Sequence, residues 1–310
     1  MRVAIIDLGT NTFHLMLAEV DKKSYSIFLR ERIPVRIGEK GINKGEIVPE
    51  AWNRALETLL NFKQSIDKNN VDQVFGTATS AIRNASNGKE LIKEIHRQTG
   101  IEIEIISGIR EAELIHLGAT RALDIGSEMS LVMDIGGGSI EFIIADSQQI
   151  YWMESFEVGG QRLVEQFHQS DPISQKNLNL LHNYFEENLG PLFRACRQFI
   201  PTTLIGCSGT FDTLSEIYTA KVGIATPPEA TEYPLPMDYF HTIYQELLLK
   251  NRRERLQMPG MIEMRVEMIV VASDLIDFVI RRLNLNKIRV SAFALKEGIL
   301  FNVLKQIQAK

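Results

Sequence analysis

Short apolar runs near the N-terminus alternate with small polar turns, a pattern that predicts strands. Strands are expected over residues 3–6 and 13–20 on either side of the turn at 9–12, and again over 24–36. From Pro49 the apolar residues recur at helical spacing, which predicts a helix. The pattern then predicts a strand, a helix, a strand and a helix over residues 71–75, 89–99, 101–106 and 110–123.

The same order of elements starts again near residue 131. The string around Asp134 can be laid over the string around Asp7 at one constant offset, which also aligns Gly136 with Gly9 and Ser139 with Thr12. Two copies of a strand, an Asp, a glycine turn and a strand indicate a duplicated α/β fold whose cleft faces both turns. Strands are predicted over 131–133, 140–145, 150–156, 203–205 and 287–290, helices over 161–168, 174–187, 211–218, 237–249, 261–283 and 295–308, and a proline-containing loop over 220–236.

Composition and charge exclude several classes of protein. The length of 310 residues suggests two domains or one large one, and a net charge of −5 argues against a protein that mainly coats nucleic acid. Two cysteines, Cys196 and Cys207, cannot form a disulfide framework, and no Cys/His spacing suggests zinc. Asp7 interrupts any signal-peptide core, and two aspartates interrupt the apolar stretch 268–280. We therefore expect a cytoplasmic protein that does not span a membrane.

Three glycine turns are candidates for binding phosphate. Glycine allows a close approach to backbone N–H groups, which form concave anion sites, and the third turn also opens a predicted helix. Each turn alone could equally be a tight hairpin, and none fits the P-loop or the dinucleotide fingerprint. The candidate phosphate contacts are Thr10, Asn11, Thr12, Gly136, Gly137, Gly138, Ser139, Gly206, Ser208, Gly209 and Thr210.

Carboxylates accompany these turns. Asp7 and Asp134 end the strands that precede two of them, and Glu141 follows Ser139 closely. Oxygen ligands beside phosphate cradles suit Mg²⁺, although each Asp could instead accept hydrogen bonds from its own turn. Two further residues follow strands: Glu111 opens a helix, where a Glu also suits the helix dipole, and Arg83 could bind phosphate or be a surface charge.

Several strings together resemble one protein family. They include DLGTNT at 7–12, ATSAIRNA at 78–85, ISG at 106–108 with the following Glu111, DIGGGSIE at 134–141, and GGQRL at 159–163. In order and over nearly the whole chain, they resemble the exopolyphosphatase/guanosine-pentaphosphate phosphatase (Ppx/GppA) family. The resemblance implies a duplicated actin-like α/β fold (the actin–hexokinase–heat-shock-ATPase, ribonuclease H-like fold) with an interdomain cleft. The first domain is expected over 1–122, with the C-terminal segment 297–310 packing back on it, and the second over 123–296.

The resemblance also implies an activity, the hydrolysis of a terminal phosphoanhydride in inorganic polyphosphate, in pppGpp, or in both. Glu111 matches the family's catalytic Glu, which orients or deprotonates the attacking water. Asp134 and Glu141 match acidic residues around Mg²⁺, to which the sequence adds Asp7. Asn11, Arg83, Ser139 and the three turns match phosphate-contacting positions. Such a site is consistent with phosphoryl transfer, which depends mainly on positioning and charge stabilisation.

Some positions depart from the family pattern. Ser208 stands where a glycine is usual, so a positive φ there would cost energy, and Lys296 replaces an Arg and its bidentate fork. Two alternatives stay open: a non-catalytic sensor of polyphosphate or (p)ppGpp, and an ATP-dependent kinase on the same fold. We expect polyphosphate or guanosine penta- or tetraphosphate as the partner, without nucleic acid or a membrane, and a homodimer is an open option. The charged run at 251–255 is interpreted as a solvated face.

Overall fold

Apolar runs of the first part of the chain form a five-stranded sheet covered by helices. The computed structural model describes residues 1–22 and 24–308. The strands are β1 (Arg2–Leu8), β2 (Phe13–Val20), β3 (Tyr25–Ile33), β4 (Gln73–Ala78) and β5 (Ile103–Ile105). The helices are α1 (Pro49–Lys68), α2 (Ser80–Asn84), α3 (Gly88–Thr99) and α4 (Gly108–Ala122).

The second part of the chain forms a six-stranded sheet. Its β6 and β7 are buried along their whole length, which explains why they are apolar apart from Ser130, Asp134 and Glu141. The strands are β6 (Ser130–Ile135), β7 (Ile140–Ala145), β8 (Ile150–Phe156), β9 (Thr203–Cys207), β10 (Glu232–Tyr233) and β11 (Lys287–Ser291). The helices are α5 (Gly160–Phe167), α6 (Gln175–Asn188), α7 (Gly190–Phe199), α8 (Ser208–Val222), α9 (Met237–Leu249), α10 (Arg252–Leu256), α11 (Met268–Leu283) and α12 (Leu295–Gln308).

Five strands are connected in the same way in the two sheets, and the second sheet has β10 as an additional edge strand. The strand order is β3-β2-β1-β4-β5 in the first and β8-β7-β6-β9-β11-β10 in the second. The turn hydrogen bond is also repeated, because Gly9 N donates to Thr12 O and Gly136 N donates to Ser139 O, both at 3.1 Å. The predicted duplicated, actin-like α/β fold is therefore confirmed.

Two helices fill the space between the sheets. α4 packs against β6, β7 and β8, while α12 packs against α4, β1 and β2, and their apolar residues share one core with both sheets. A Cβ at Gly298 would clash with the Leu114 carbonyl oxygen, and one at Gly118 would clash with the Ala294 carbonyl oxygen. These glycines thus allow α4 and α12 to approach closely. The last two residues of the predicted segment 297–310 lie outside the described residues, and the domain bounds themselves stay a prediction.

Some local elements differ from expectation. The short helix α2 and helix α7 were not predicted, and β10 lies within the predicted loop 220–236, where it pairs with β11. The predicted helix 261–283 begins only at Met268, after a separate 3-10 turn at Glu263–Arg265. Within the described residues, no helix has the length and apolar character required to cross a bilayer.

The interpretation of 251–255 as a solvated face is wrong for Arg255. This side chain is fully buried and donates to Val266 O at 3.0 Å, Lys250 O at 2.6 Å and Asp171 Oδ1 at 2.6 Å. A buried guanidinium needs such partners, because each unsatisfied N–H would lose its hydration without replacement. Arg255 therefore holds the segment before α11 in place.

Candidate active site

A cleft of about 660 Å³ lies between the two halves and is lined by both glycine turns. The turns are in direct contact. A Cβ on Gly137 would lie 3.0 Å from Asn11 Cγ, and one on Gly138 would lie 2.6 Å from Thr10 Oγ1. Only residues without a side chain fit where the second turn meets the first. The structure therefore brings together the predicted contacts Thr10, Asn11, Thr12, Gly136, Gly137, Gly138 and Ser139.

Glu111 lies in the first turn of α4 and lines this cleft. The helix begins there because Ser107 caps it, its Oγ accepting from Arg110 N at 3.1 Å. Glu111 is 7% exposed, and its Oε2 accepts from Arg83 Nη1 at 2.9 Å. Burial raises the pKa of Glu111 to about 8; Arg83 opposes this rise, while Asp7 and Asp134 add to it. The group is thus a carboxyl that exchanges protons near neutral pH.

Asp7 and Asp134 lie at the ends of β1 and β6, where the two turns begin. Burial raises the pKa of Asp7 to about 7, with Lys296 opposing and Asp134 adding to the shift. Burial likewise raises the pKa of Asp134 to about 6, although a hydrogen bond from Ser208 lowers it. The Oδ1 of Asp7 is buried and has no hydrogen-bond partner among the residues that the structure describes. A cation would relieve both the unpaired oxygen and the charge repulsion.

These two aspartates could hold Mg²⁺. Among residues 1–22 and 24–308, no group of three or more His, Cys, Asp or Glu forms a preassembled metal cage. Mg²⁺ does not require one, because it keeps several waters and is commonly held by one or two carboxylates together with substrate phosphates. The unpaired Asp7 oxygen near Asp134 fits such a hydrated ion.

Glu141 is opposite Asp134 in the β6–β7 ladder. Its Oε1 accepts from Ser155 Oγ at 2.7 Å. Burial raises the pKa of Glu141 well above its usual value, and nearby Glu111 and Asp134 raise it further, while Ser155 and Ser139 lower it. One Glu141 oxygen is thus already engaged, and its role as a metal ligand stays a prediction.

The third turn contributes only in part. Ser208 and Gly209 line the cleft, at the start of α8. Ser208 has the positive φ of 69° that its Cβ makes costly, and its Oγ donates to Asp134 Oδ2 at 2.8 Å. Gly206 lies within β9, where a Cβ would meet the Phe211 ring, and Thr210 is fully buried. Neither of these two lines the cleft.

Arg83 is engaged with protein groups. Its Nη1 donates to Glu111 Oε2 and Ile106 O, and its Nη2 donates to Glu157 Oε1. The structure thus places Arg83 beside the candidate base, and its phosphate contact stays a prediction.

Three charged residues that line the cleft were not predicted as site residues from the sequence: Arg265, Lys296 and Asp212. Arg265 covers Gly209 from the 3-10 turn, and its buried Nε has no hydrogen-bond partner within residues 1–22 and 24–308. Burial and nearby Arg32 lower the pKa of Arg265 to about 10. Burial alone would lower the pKa of Lys296. The negative charges of Glu297, Asp212 and Asp7 outweigh this effect, so that the pKa is raised above its usual value. Asp212 lies on α8, and burial raises its pKa to about 7. No sequence signal marked Arg265, since a continuous helix was expected there.

Comparison with known proteins identifies relatives over nearly the whole chain. Residues 16–307 match the model of the Ppx/GppA phosphatase family. A crystal structure of an exopolyphosphatase from Cytophaga hutchinsonii is 44% identical, with a TM-score of 0.95 and 99% of each chain covered. A putative exopolyphosphatase of Haemophilus influenzae is 25% identical over 99% of this chain and 92% of its own. The Aquifex aeolicus member of the Ppx/GppA family, 24% identical with a TM-score of 0.79, covers 99% of this chain and 98% of its own and shares the fold.

Proposed function

Because this chain belongs to the Ppx/GppA phosphatase family, we propose that it is a Mg²⁺-dependent phosphoanhydride hydrolase that releases the terminal phosphate of inorganic polyphosphate. The observation that carries the proposal is the position of Glu111, which is buried in the cleft near Asp7 and Asp134 with its pKa raised to about 8. The names of two relatives, an exopolyphosphatase and a putative exopolyphosphatase, support polyphosphate as the substrate.

In this proposal Glu111 accepts a proton from the attacking water. A general base works best when its pKa lies near the working pH, and burial brings Glu111 into that range. Arg83 fixes Oε2 through its hydrogen bond at 2.9 Å. The other oxygen, Oε1, accepts no hydrogen bond from the described residues and is available to the water.

The developing charge on the phosphate is stabilised by groups around the cleft. The backbone N–H groups of the turns and of the α8 N-terminus are suited to phosphate oxygens, and Arg265 and Lys296 add positive charge. Mg²⁺, when bound beside Asp7 and Asp134, would neutralise charge on the phosphate oxygens. Such electrostatic stabilisation supplies most of the catalysis in phosphoryl transfer.

A second substrate, pppGpp, is favoured by the apolar part of the cleft lining. Tyr25, Ile27, Tyr233 and Phe293 all contribute to it. Aromatic side chains can stack on a purine, so this part of the cleft suits a nucleobase as well as a short polymer. We include pppGpp as the alternative substrate.

The test is phosphate release from short polyphosphate, long polyphosphate and pppGpp, with and without Mg²⁺. We expect Glu111→Gln to slow release by about 10³-fold, because general-base catalysis contributes roughly 10²–10⁴-fold. Glu113→Gln is the matched control, since Glu113 is in the same helix and accepts from Arg110 at 2.8 Å. Binding without release would favour a sensor, and transfer from ATP to an acceptor would favour a kinase.

A further inference from the structure

Glu157 follows β8 directly, and its carboxylate contacts the first half of the molecule. Its Oε2 accepts from Ser80 Oγ at 2.5 Å, and its Oε1 accepts from Arg83 Nη2 at 3.1 Å. Within its own half, Arg162 Nη2 donates to Oε2 at 3.1 Å. Glu157 thus joins α2 to the start of α5.

The guanidinium of Arg83 holds two carboxylates at once. Its Nη1 donates to Glu111 Oε2 at 2.9 Å, while its Nη2 donates to Glu157 Oε1. A guanidinium is planar and its donors point in fixed directions. The position of Glu157 therefore restricts the direction from which Arg83 approaches Glu111.

Arg162 extends these contacts to a glycine turn. Its Nε donates to Gly138 O at 2.8 Å, and its Nη1 donates to Ile42 O at 2.9 Å. Ile42 belongs to the first half of the chain and Gly138 to the second. The bonds that Glu157 and Arg162 make to Ser80, Arg83 and Ile42 of the first half all require the two halves to be this close together.

We infer that Glu157 is a positioning residue for hydrolysis, which holds Arg83, and through it Glu111, in place by its contacts between the two halves. This inference rests on the proposed function. The side-chain hydrogen bonds of Glu157 within the described residues go to residues of α2 and to Arg162 and not to the glycine turns, and its side chain is 41% exposed. It also lies outside every string on which the family resemblance depends.

The charge of Glu157 supports this role. Burial opposes its ionisation, but hydrogen bonds from Ser80, Asn84 and Arg83 hold the pKa of Glu157 below its usual value. An ionised Glu157 compensates part of the Arg83 charge. Without it, the Arg83 cation would act more strongly on Glu111 and lower the pKa of the base.

The decisive variant is Glu157→Gln, which keeps the shape of the side chain and removes its charge. We expect kcat to fall about tenfold, because the base is less well oriented, with KM for polyphosphate within about twofold. We also expect the acidic limb of the kcat profile to move about half a pH unit lower. Glu154→Gln is the matched control, since Glu154 lies in β8 and makes no side-chain hydrogen bond or ion pair with the described residues.

Two further variants separate positioning from a merely structural role. Glu157→Asp keeps the charge but shortens the reach, so kcat should fall without a shift of the acidic limb. In an Arg83→Gln background, adding Glu157→Gln should lower kcat by less than about a further twofold, because both changes break the same hydrogen-bonded connection to Glu111. Additive losses, or a change in KM alone, would overturn the inference.

The outcomes also separate this inference from the proposed function. If the wild type releases no phosphate, the proposed hydrolysis fails and the inference fails with it. If the wild type is active and Glu157→Gln has the same kcat and pH profile, only the positioning role is overturned.

Discussion

The two halves of the molecule carry the same strand–turn–strand unit with different side chains around it. In the first unit Asp7 pairs with His14 across the ladder, and in the second Asp134 pairs with Glu141. The turn hydrogen bond has the same length in both. The repeated backbone thus forms the cleft, while the side chains give its two walls different chemistry.

The difference is electrostatic. Burial, Lys296 and Arg32 lower the pKa of His14 well below its usual value, so Asp7 lies opposite a neutral imidazole. Asp134 instead accepts from Ser208, and Glu141 accepts from Ser155. Among the described residues, the first unit therefore leaves the Oδ1 of Asp7 without a hydrogen-bond partner, whereas the carboxyl groups of the second unit accept hydrogen bonds from hydroxyls. We propose that the first unit is the one better suited to bind a cation.

Among the variants that test this difference between the two units, Asp7→Asn should have the largest effect on phosphate release. We expect phosphate release to fall by about 100-fold or more, because cation binding stabilises transition-state charge by several kcal/mol. The Mg²⁺ concentration for a half-maximal rate should rise more than in Asp134→Asn. A Mg²⁺ titration of both variants checks this, and a larger rise in Asp134→Asn would contradict the assigned difference.

The same variant has a stability signature. The pKa of Asp7 is raised to about 7 in the folded state. The folded state therefore favours the protonated carboxyl, and its contribution to stability is fully present below the unfolded-state pKa of about 4. This contribution is lost as the pH rises from about 4 to about 7 and the carboxyl must ionise in its buried position. Without Mg²⁺, Asp7→Asn should therefore have a higher Tm than the wild type at pH 8. That advantage should shrink toward pH 4, and an advantage independent of pH would argue against a buried, ionisable Asp7.

Gly138→Ala should have the next largest effect on activity, since its added Cβ would push the two units apart. Its Cβ would lie 2.5 Å from Ser80 Oγ and 2.6 Å from Thr10 Oγ1. A misplacement of about 1 Å can cost about 100-fold in rate, and we expect a loss of that order in kcat/KM. Gly190→Ala is the control, because a Cβ there meets only Arg194 Nη1 at 3.5 Å. Equal kinetics for the two variants would show that the turns need not touch.

The pH profile should show a smaller, graded effect. Glu111 acts as a base only when deprotonated, and its pKa is about 8, so kcat/KM should rise about tenfold per pH unit below that value. Asp7 raises the pKa of Glu111 more than Asp134 does. For the activity that remains, Asp7→Asn should accordingly move the acidic limb of the kcat/KM profile to a lower pH than Asp134→Asn does. A flat profile between pH 6 and about 8 would remove Glu111 as the base.

Much of the fold could be predicted from the sequence because the signals are local. Apolar runs and glycine turns mark the strands, and the repeated string around Asp7 and Asp134 reveals the duplication. Arg265 could not be predicted, because its segment has the apolar spacing of a helix, whereas the structure places it in a separate turn above Gly209. Glu157 was missed for a related reason, since its partners Ser80 and Arg83 are more than 70 residues away.

Ser208 and Ser80 give the smallest and most specific test of the two halves. Each opens a helix after the strand that pairs with the central strand of its sheet, but only Ser208 has a positive φ, of 69°. At Ser208 we expect the Gly variant to be more stable than the Ala variant by about 1 kcal/mol, because a Cβ is strained in the left-handed region. At Ser80 the order should reverse by a similar amount, about 1 kcal/mol, because glycine costs backbone entropy in a helix. Denaturant unfolding of the four variants measures both differences, and a Ser208→Ala variant as stable as Ser208→Gly would show that the strain at Ser208 is not significant.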